Sequence, residues 1–216
     1  MKLLKKEFRL CMHPFCMISL LLSALVLVPG YPFGVCCFYT ALGVFFVCLT
    51  ARENHDAAYT LSLPVSRRDA VGARILFCAC LEIAQLAVMG VFIVIRYAIG
   101  SEPNPAGLDA GLALIGEGFL IYTLFNMLFF PAYYRDINKP GSAFAIASVA
   151  VFVWIILEIV ATYTVPFVRF KLDRPDPEYM GDKALFTLGA LALYVSGTYL
   201  AAQKSTKKFA AVDLSL

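Results

Sequence analysis

The chain has 216 residues, of which 61% are hydrophobic and 15% charged, and its mean hydropathy is +0.78, against about 45–50% apolar and about 25% charged in soluble globular domains. This composition excludes a sizeable water-soluble domain and describes a membrane protein. The net charge of +3 is too small for a nucleic-acid-binding field, and the basic residues gather beside apolar runs, where lipid headgroups are the natural partner.

The chain opens with Lys2, Lys5, Lys6 and Arg9 at the helical spacing i, i+3, i+4, i+7, with Leu4, Phe8 and Cys11 on another face. This pattern predicts an amphipathic helix over residues 1–12 lying in the membrane plane; the plainer alternative is a basic flank that only fixes topology. A signal peptide would begin similarly, but no small-residue cleavage site precedes the "VPGYPFG" turn, and a second apolar run follows at once.

A spanning helix needs about 20 apolar residues to cross about 30 Å of hydrocarbon. Six segments qualify: Pro14 to Pro29, Phe33 to Thr50, Ile75 to Ile95, Leu108 to Pro131, Ser142 to Thr164 and Ala184 to Ala202. The expected fold is therefore all-α, a polytopic single transmembrane domain over residues 1–216, with six transmembrane helices and an N-terminal interfacial helix. With the N-terminus inside, 13 Lys and Arg residues fall in inner segments against 5 outside, namely Arg96, Arg169, Lys171, Arg174 and Lys183. The positive-inside rule then puts both termini and the 51–74 segment in the cytoplasm.

Of the outer segments, Ser101 to Gly107 ("SEPNPAG") reads as a short turn. The longer 165–183 segment mixes aromatics with charges, as suits a segment lying on the outer membrane face. Gly107 and Gly111 have the G-x-x-x-G spacing that lets helices approach closely. The seven cysteines contain no C-x-x-C pair and read as small buried hydrophobes.

Chemistry is sparse. The two histidines form no H-E-x-x-H motif, and neither a G-x-S-x-G elbow nor a phosphate-binding loop occurs. No catalytic, cofactor or metal site is expected in this chain. Three acids fall inside predicted spans, Glu82, Glu117 and Glu158, each costing on the order of 2.5–3.5 kcal/mol by insertion scales. They are either substrate-facing or proton-carrying groups, or interhelical hydrogen-bond partners of neighbours such as Tyr122, Thr162 and Tyr163. Glu117 and Glu158 both belong to the outer half and are placed to approach one another or a shared cavity.

The most informative interruption is "ARENHDAAYTLSLPVSRRDAVGAR", Ala51 to Arg74, because long ordered connections tend to be functional. Pro64 breaks what precedes it. Ser66 then stands at a helix N-cap with Asp69 at the third helical position, a capping box leading into the third span. The preceding "AAYTLSLP" is apolar enough to lie on the membrane or to enter a partner's groove.

The stretch "YTLSLPVSRRDAVGARIL" resembles the first cytoplasmic loop of the ABC-2 transporter permeases, in the branch of small six-span bacterial subunits encoded apart from their ATPase. "PAYYRDINKPG", with Pro131, Tyr134, Arg135 and Lys139, is similar to that branch's second inner loop. It departs from the family pattern at Asp136-Ile137, where an aromatic-glycine pair is frequent, and at Pro140-Gly141, where a basic residue often follows the lysine.

The resemblance implies that Glu53, Asp56, Leu61, Leu63, Pro64, Val65, Ser66, Arg67 and Arg68 form a coupling element touching a separate ABC ATPase subunit, which would hold the ATP and magnesium. It implies a second permease chain, alike or different, and export across a bacterial cytoplasmic membrane, as in multidrug or peptide efflux. The alternative is a proton-coupled secondary transporter working through the intramembrane carboxylates.

Overall fold

In the computed structural model, residues 2–100 and 102–211 are described, with the backbone alone for Lys2. Met1, the Lys2 side chain and Ser101, all used in the reading above, lie outside the described residues. The elements are α1 (Lys2–Lys6, widening into a π turn at Glu7–Cys11), α2 (Pro14–Leu21, tightening into a 3-10 segment at Leu22–Leu27), α3 (Gly34–Glu53), α4 (Asp56–Ser62), α5 (Arg67–Ala98), α6 (Leu112–Tyr133), α7 (Pro140–Thr164) and α8 (Met180–Ala210). The fold is all-α and polytopic.

Five helices (α3, α5, α6, α7 and α8) are long and apolar enough to cross a membrane among the described residues, and six spans result if Leu3–Cys11 and Pro14–Leu27, bent by 84°, count as one broken span. The expected first span is the one that changes. Its eight α-helical and six 3-10 residues rise only about 24 Å, short of the hydrocarbon thickness. The 32 residues of α5 and the 31 of α8 rise about 48 and 46 Å and project beyond the span at one end. There the Arg67 guanidinium donates to the carbonyls of Phe209 at 2.5 Å and Ala210 at 3.2 Å, so the start of α5 and the end of α8 meet.

The bundle is built around α6. Its most apolar window is 56% buried, against 22% for α7 and for α8, so α6 is the central helix and the other two present their outer faces to lipid. Phe125, Phe129 and Tyr133, at i, i+4 and i+8, stack along one face with ring centroids 4.9 and 5.9 Å apart. The most extensive helix contact is between α6 and α8, and it needs Gly197, where a Cβ would come within 2.7 Å of Thr123 Cγ2. A Cβ on Gly118 would strike Leu86 of α5 in the same way.

The expected Gly107 to Gly111 motif is not such a crossing. Both residues precede α6, and Gly107, at φ +132°, forms a turn against the Glu158 carboxylate.

Candidate functional site

Between α3 and α5 the chain makes an elbow. His55 adopts φ +50°, a left-handed turn that is uncommon outside glycine, and reverses the chain into α4. Pro64 drives Leu63 into extended backbone (ψ 158°) and ends α4. The expected cap is present: Ser66 Oγ accepts from the Asp69 N–H at 3.1 Å and donates to Asp69 Oδ2 at 2.6 Å, giving α5 a stiff start.

The inward face of α4 is polar. Asp56 and Thr60, one turn apart, point at Lys6 of α1 and Arg74 of α5. Lys6 Nζ lies 2.5 Å from Asp56 Oδ1 and 2.7 Å from Thr60 Oγ1. Arg74 donates through Nη2 to Asp56 Oδ2 at 2.6 Å, and through Nε to Glu7. The side chains of Lys6, Glu7, Asp56 and Arg74 are only 11%, 4%, 15% and 6% exposed. Two cations and two carboxylates thus balance in a nearly dry site where α1, α4 and α5 meet.

The outward surface differs from the one expected. Tyr59 and Leu63 are 57% and 39% exposed, and Pro64 and Arg68 are exposed beside them. Glu53 is also exposed, near Arg52 at 3.5 Å. Val65 is half-buried and Leu61 packs inward on the core. Asp56 and Arg67 have their charges engaged by the chain itself, Asp56 in the ion cluster and Arg67 on the last carbonyls of α8. Ser66 is spent on the cap. In the second loop Tyr134 is buried against Phe209 at 5.3 Å, while Arg135 and Lys139 are exposed.

Lys6, expected to face lipid with its basic neighbours, turns inward. Glu7 and Arg74 were missed as a pair. The available signals were an acid inside a basic run and an arginine two turns beyond the Ser66 cap.

The intramembrane acids take separate partners. Glu82 Oε2 accepts from Asn126 at 3.0 Å and Tyr194 at 2.6 Å, joining α5, α6 and α8. Its Oε1 and Asn126 Oδ1 have no partner among the described residues. Gln85, one turn on, donates to Ser23 at 3.1 Å and accepts from Tyr122 at 2.8 Å. Glu117 accepts from the Trp154 indole at 2.5 Å. Glu158 accepts from the Leu108 N–H at 2.7 Å, with Thr162 bonded to its backbone carbonyl at 3.0 Å. Tyr163 donates to the Pro105 carbonyl instead.

At the end opposite α4, the 165–183 segment is tied to the bundle as well as exposing Phe167, Phe170 and Tyr179. Asp173 accepts from the Asp109 N–H at 2.8 Å and Asp176 from the Leu112 N–H at 2.9 Å, so Asp176 caps α6 from 64 residues away. Burial pushes the Asp173 carboxyl up to about 6. Lys183, wholly buried, donates to the Arg174 carbonyl and to Asp176, both at 2.5 Å. Arg96 donates to the Val26 carbonyl at 3.0 Å and the Glu102 carbonyl at 2.5 Å.

Glu7, Cys11 and Asp56 offer ligand atoms within 4.8 Å of one another. Lys6 and Arg74 already neutralise the two carboxylates, and a divalent cation there would meet both positive groups.

Compared with protein-family models, residues 2–209 match the one described as ABC-2 family transporter protein. Comparison with curated proteins and with solved structures found no match.

Proposed function

Because the chain belongs to the ABC-2 transporter family, whose model covers residues 2–209, we propose that this membrane component of an ABC transporter is driven by a separate ATPase subunit docked on the α4 elbow. The observation that carries the reading is the elbow's outward surface. Tyr59, Leu63, Pro64 and Arg68 present an apolar patch with a charged rim, the form an interface uses to enter a groove.

ATP and magnesium belong to the ATPase subunit, whose closure would press on α4. The pressure would pass into α5, a single capped helix, and tilt it against α6 and α8. Two permease chains, alike or different, would alternate access between them. The differential binding that drives the cycle resides in the ATPase pair, so this chain has only to transmit force. We place the α4 end in the bacterial cytoplasm, on the strength of its Lys and Arg excess. A bundle with no large outer domain among the described residues suits an amphipathic cargo, such as a peptide or lipid-like compound, moved outward.

The test is co-purification with a soluble ATPase carrying a phosphate-binding loop. Leu63→Asp should abolish capture while leaving the permease folded; undiminished capture would refute α4 as the dock. Labelling of Ser66→Cys by an impermeant reagent from outside intact cells would refute the orientation. The proton-driven alternative would run through Glu82, Glu117 and Glu158, each of which is hydrogen-bonded within the bundle. Transport by the chain without any ATPase, lost in Glu82→Gln, would establish it.

A further inference from the structure

The ion cluster behind α4 has no part in the docking surface, yet it is the most completely buried charge assembly at that end of the molecule. We infer that Lys6, Glu7, Asp56 and Arg74 are positioning residues that lock α4 to α1 and α5, making the three helices one body through which a push on α4 reaches the membrane. The inference rests on the reading of α4 as the ATPase dock.

Apolar packing holds α4 poorly. It has seven residues, and Thr60 is the one it buries; Ala57 and Leu61 pack only partly against the core. A helix this short, entered through the left-handed His55 and left at Pro64, would swing about both ends if only these contacts restrained it. Its register is instead set by side chains with directional partners, the use of buried charge that is best attested.

Arg74 is central because its fork engages two elements at once, with Nε on Glu7 of α1 and Nη2 on Asp56 of α4. A lysine, with its single ammonium, could not match that planar geometry. Lys6 closes the circuit, binding Asp56 and Thr60 one turn apart on α4. Arg74 sits seven residues into α5, two turns past the cap. Displacement of α4 therefore enters α5 within its rigid shaft and bypasses the Leu63 to Val65 linker. Through Glu7 the same displacement reaches α1, and from there α2.

A merely stabilising cluster and a joint respond differently to paired neutralisation. Asp56→Asn alone leaves one positive charge uncompensated and should lower the melting temperature. Adding Lys6→Met restores neutrality around the remaining Arg74–Glu7 pair and should bring the melting temperature back to within a few degrees of the wild type. Yet α4 would have lost its ionic anchors. Spin labels at Lys5→Cys and Tyr59→Cys, in a Cys80→Ser background, report α1 against α4 in the permease alone.

The expected result for the double variant is at least a doubling of the width of that distance distribution. In lipid nanodiscs, the unlabelled double variant should still capture the ATPase but lose the change that the wild-type permease imposes on its hydrolysis rate. A distribution as narrow as the wild type's, or an unaltered effect on hydrolysis, would overturn the joint. If wild-type protein captures no ATPase, the docking reading fails, while the distance width still judges the joint. Should the double variant misfold, Thr60→Val, which keeps all four charges and removes one Lys6 bond, must broaden the distribution; an unchanged width overturns the proposal.

Discussion

At the α4 end, Arg74 and Lys6 meet Glu7 and Asp56, side chain against side chain. At the opposite end, Arg96 and Lys183 donate to the carbonyls of Val26, Glu102 and Arg174, while Asp173, Asp176 and Glu158 accept from the backbone N–H groups of Asp109, Leu112 and Leu108. Both ends bury charge, and the opposite end has ion pairs of its own, Lys183 with Asp176 at 2.5 Å and Arg96 with Asp109 at 3.9 Å. There, however, each cation also spends hydrogen bonds on backbone carbonyls, which no substitution removes, whereas the α4 cations meet side chains that can be neutralised in matched pairs. The α4 end is thus held by a balance of charges. The opposite end is held by the shape of loops that present unpaired backbone groups to waiting side chains.

That contrast is open to direct attack. Arg74→Met should cause the largest loss, about 3–5 kcal/mol, because it leaves Lys6 as the one cation facing two buried carboxylates; thermal unfolding in detergent measures it, and adding Glu7→Gln should recover much of the loss. At the opposite end, Arg96→Met should cost about 1–3 kcal/mol for the carbonyls left without a donor. Adding Asp109→Asn should return only the share due to the carboxylate left unpaired, and a side-chain change that restored the whole loss would erase the distinction between the ends.

Arg67→Met removes a cation from the last carbonyls of α8 and should cost about 0.3–1 kcal/mol, seen as earlier fraying of α8 in hydrogen exchange. Arg68→Ala, by contrast, should leave stability unchanged.

The smallest effect concerns Asp173. Burial raises its carboxyl from 3.8 to about 6, so the folded state binds its proton more tightly than the unfolded chain does. This contribution therefore favours folding as pH falls through 6 toward 4 and opposes it above 6. Wild type minus Asp173→Asn should show a melting-temperature difference that shifts in favour of the wild type between pH 7 and pH 5. A difference independent of pH would mean that the carboxyl is not desolvated in solution.

How much could be read beforehand differs between elements for identifiable reasons. The α3, α5, α6, α7 and α8 helices were legible because lipid demands long apolar runs with internally satisfied backbone. The start of α5 was legible because Ser66 and Asp69 cap locally. The shortness of the first span was legible too, since Pro14 to Pro29 is the shortest of the six apolar runs; its 3-10 second half was not, since an apolar run looks alike whether it winds as an α-helix or tightens into 3-10 turns. The cluster was also hidden: Arg74 stands 67 residues from Glu7 and 18 from Asp56, and Lys6 shares a helical pattern with Lys5 and Arg9, which are exposed.

On the candidate site, the capped exit of the 51–74 stretch was legible, and the element read before Pro64 forms as α4. Which of its side chains face outward was not legible. Asp56 and Arg67 carry charge on a cytoplasmic-looking loop just as Arg68 does, and only their partners separate them.

By itself, then, the amino-acid order determined that this protein lives in a bilayer, where its five long helices lie, and where the chain pauses between them, because those features follow from the length and polarity of contiguous segments. Tertiary structure alone decided which charges are spent inside and which remain to meet another molecule. Such pairings join residues far apart in the chain, and their energies depend on distance and dehydration, neither of which a linear string encodes.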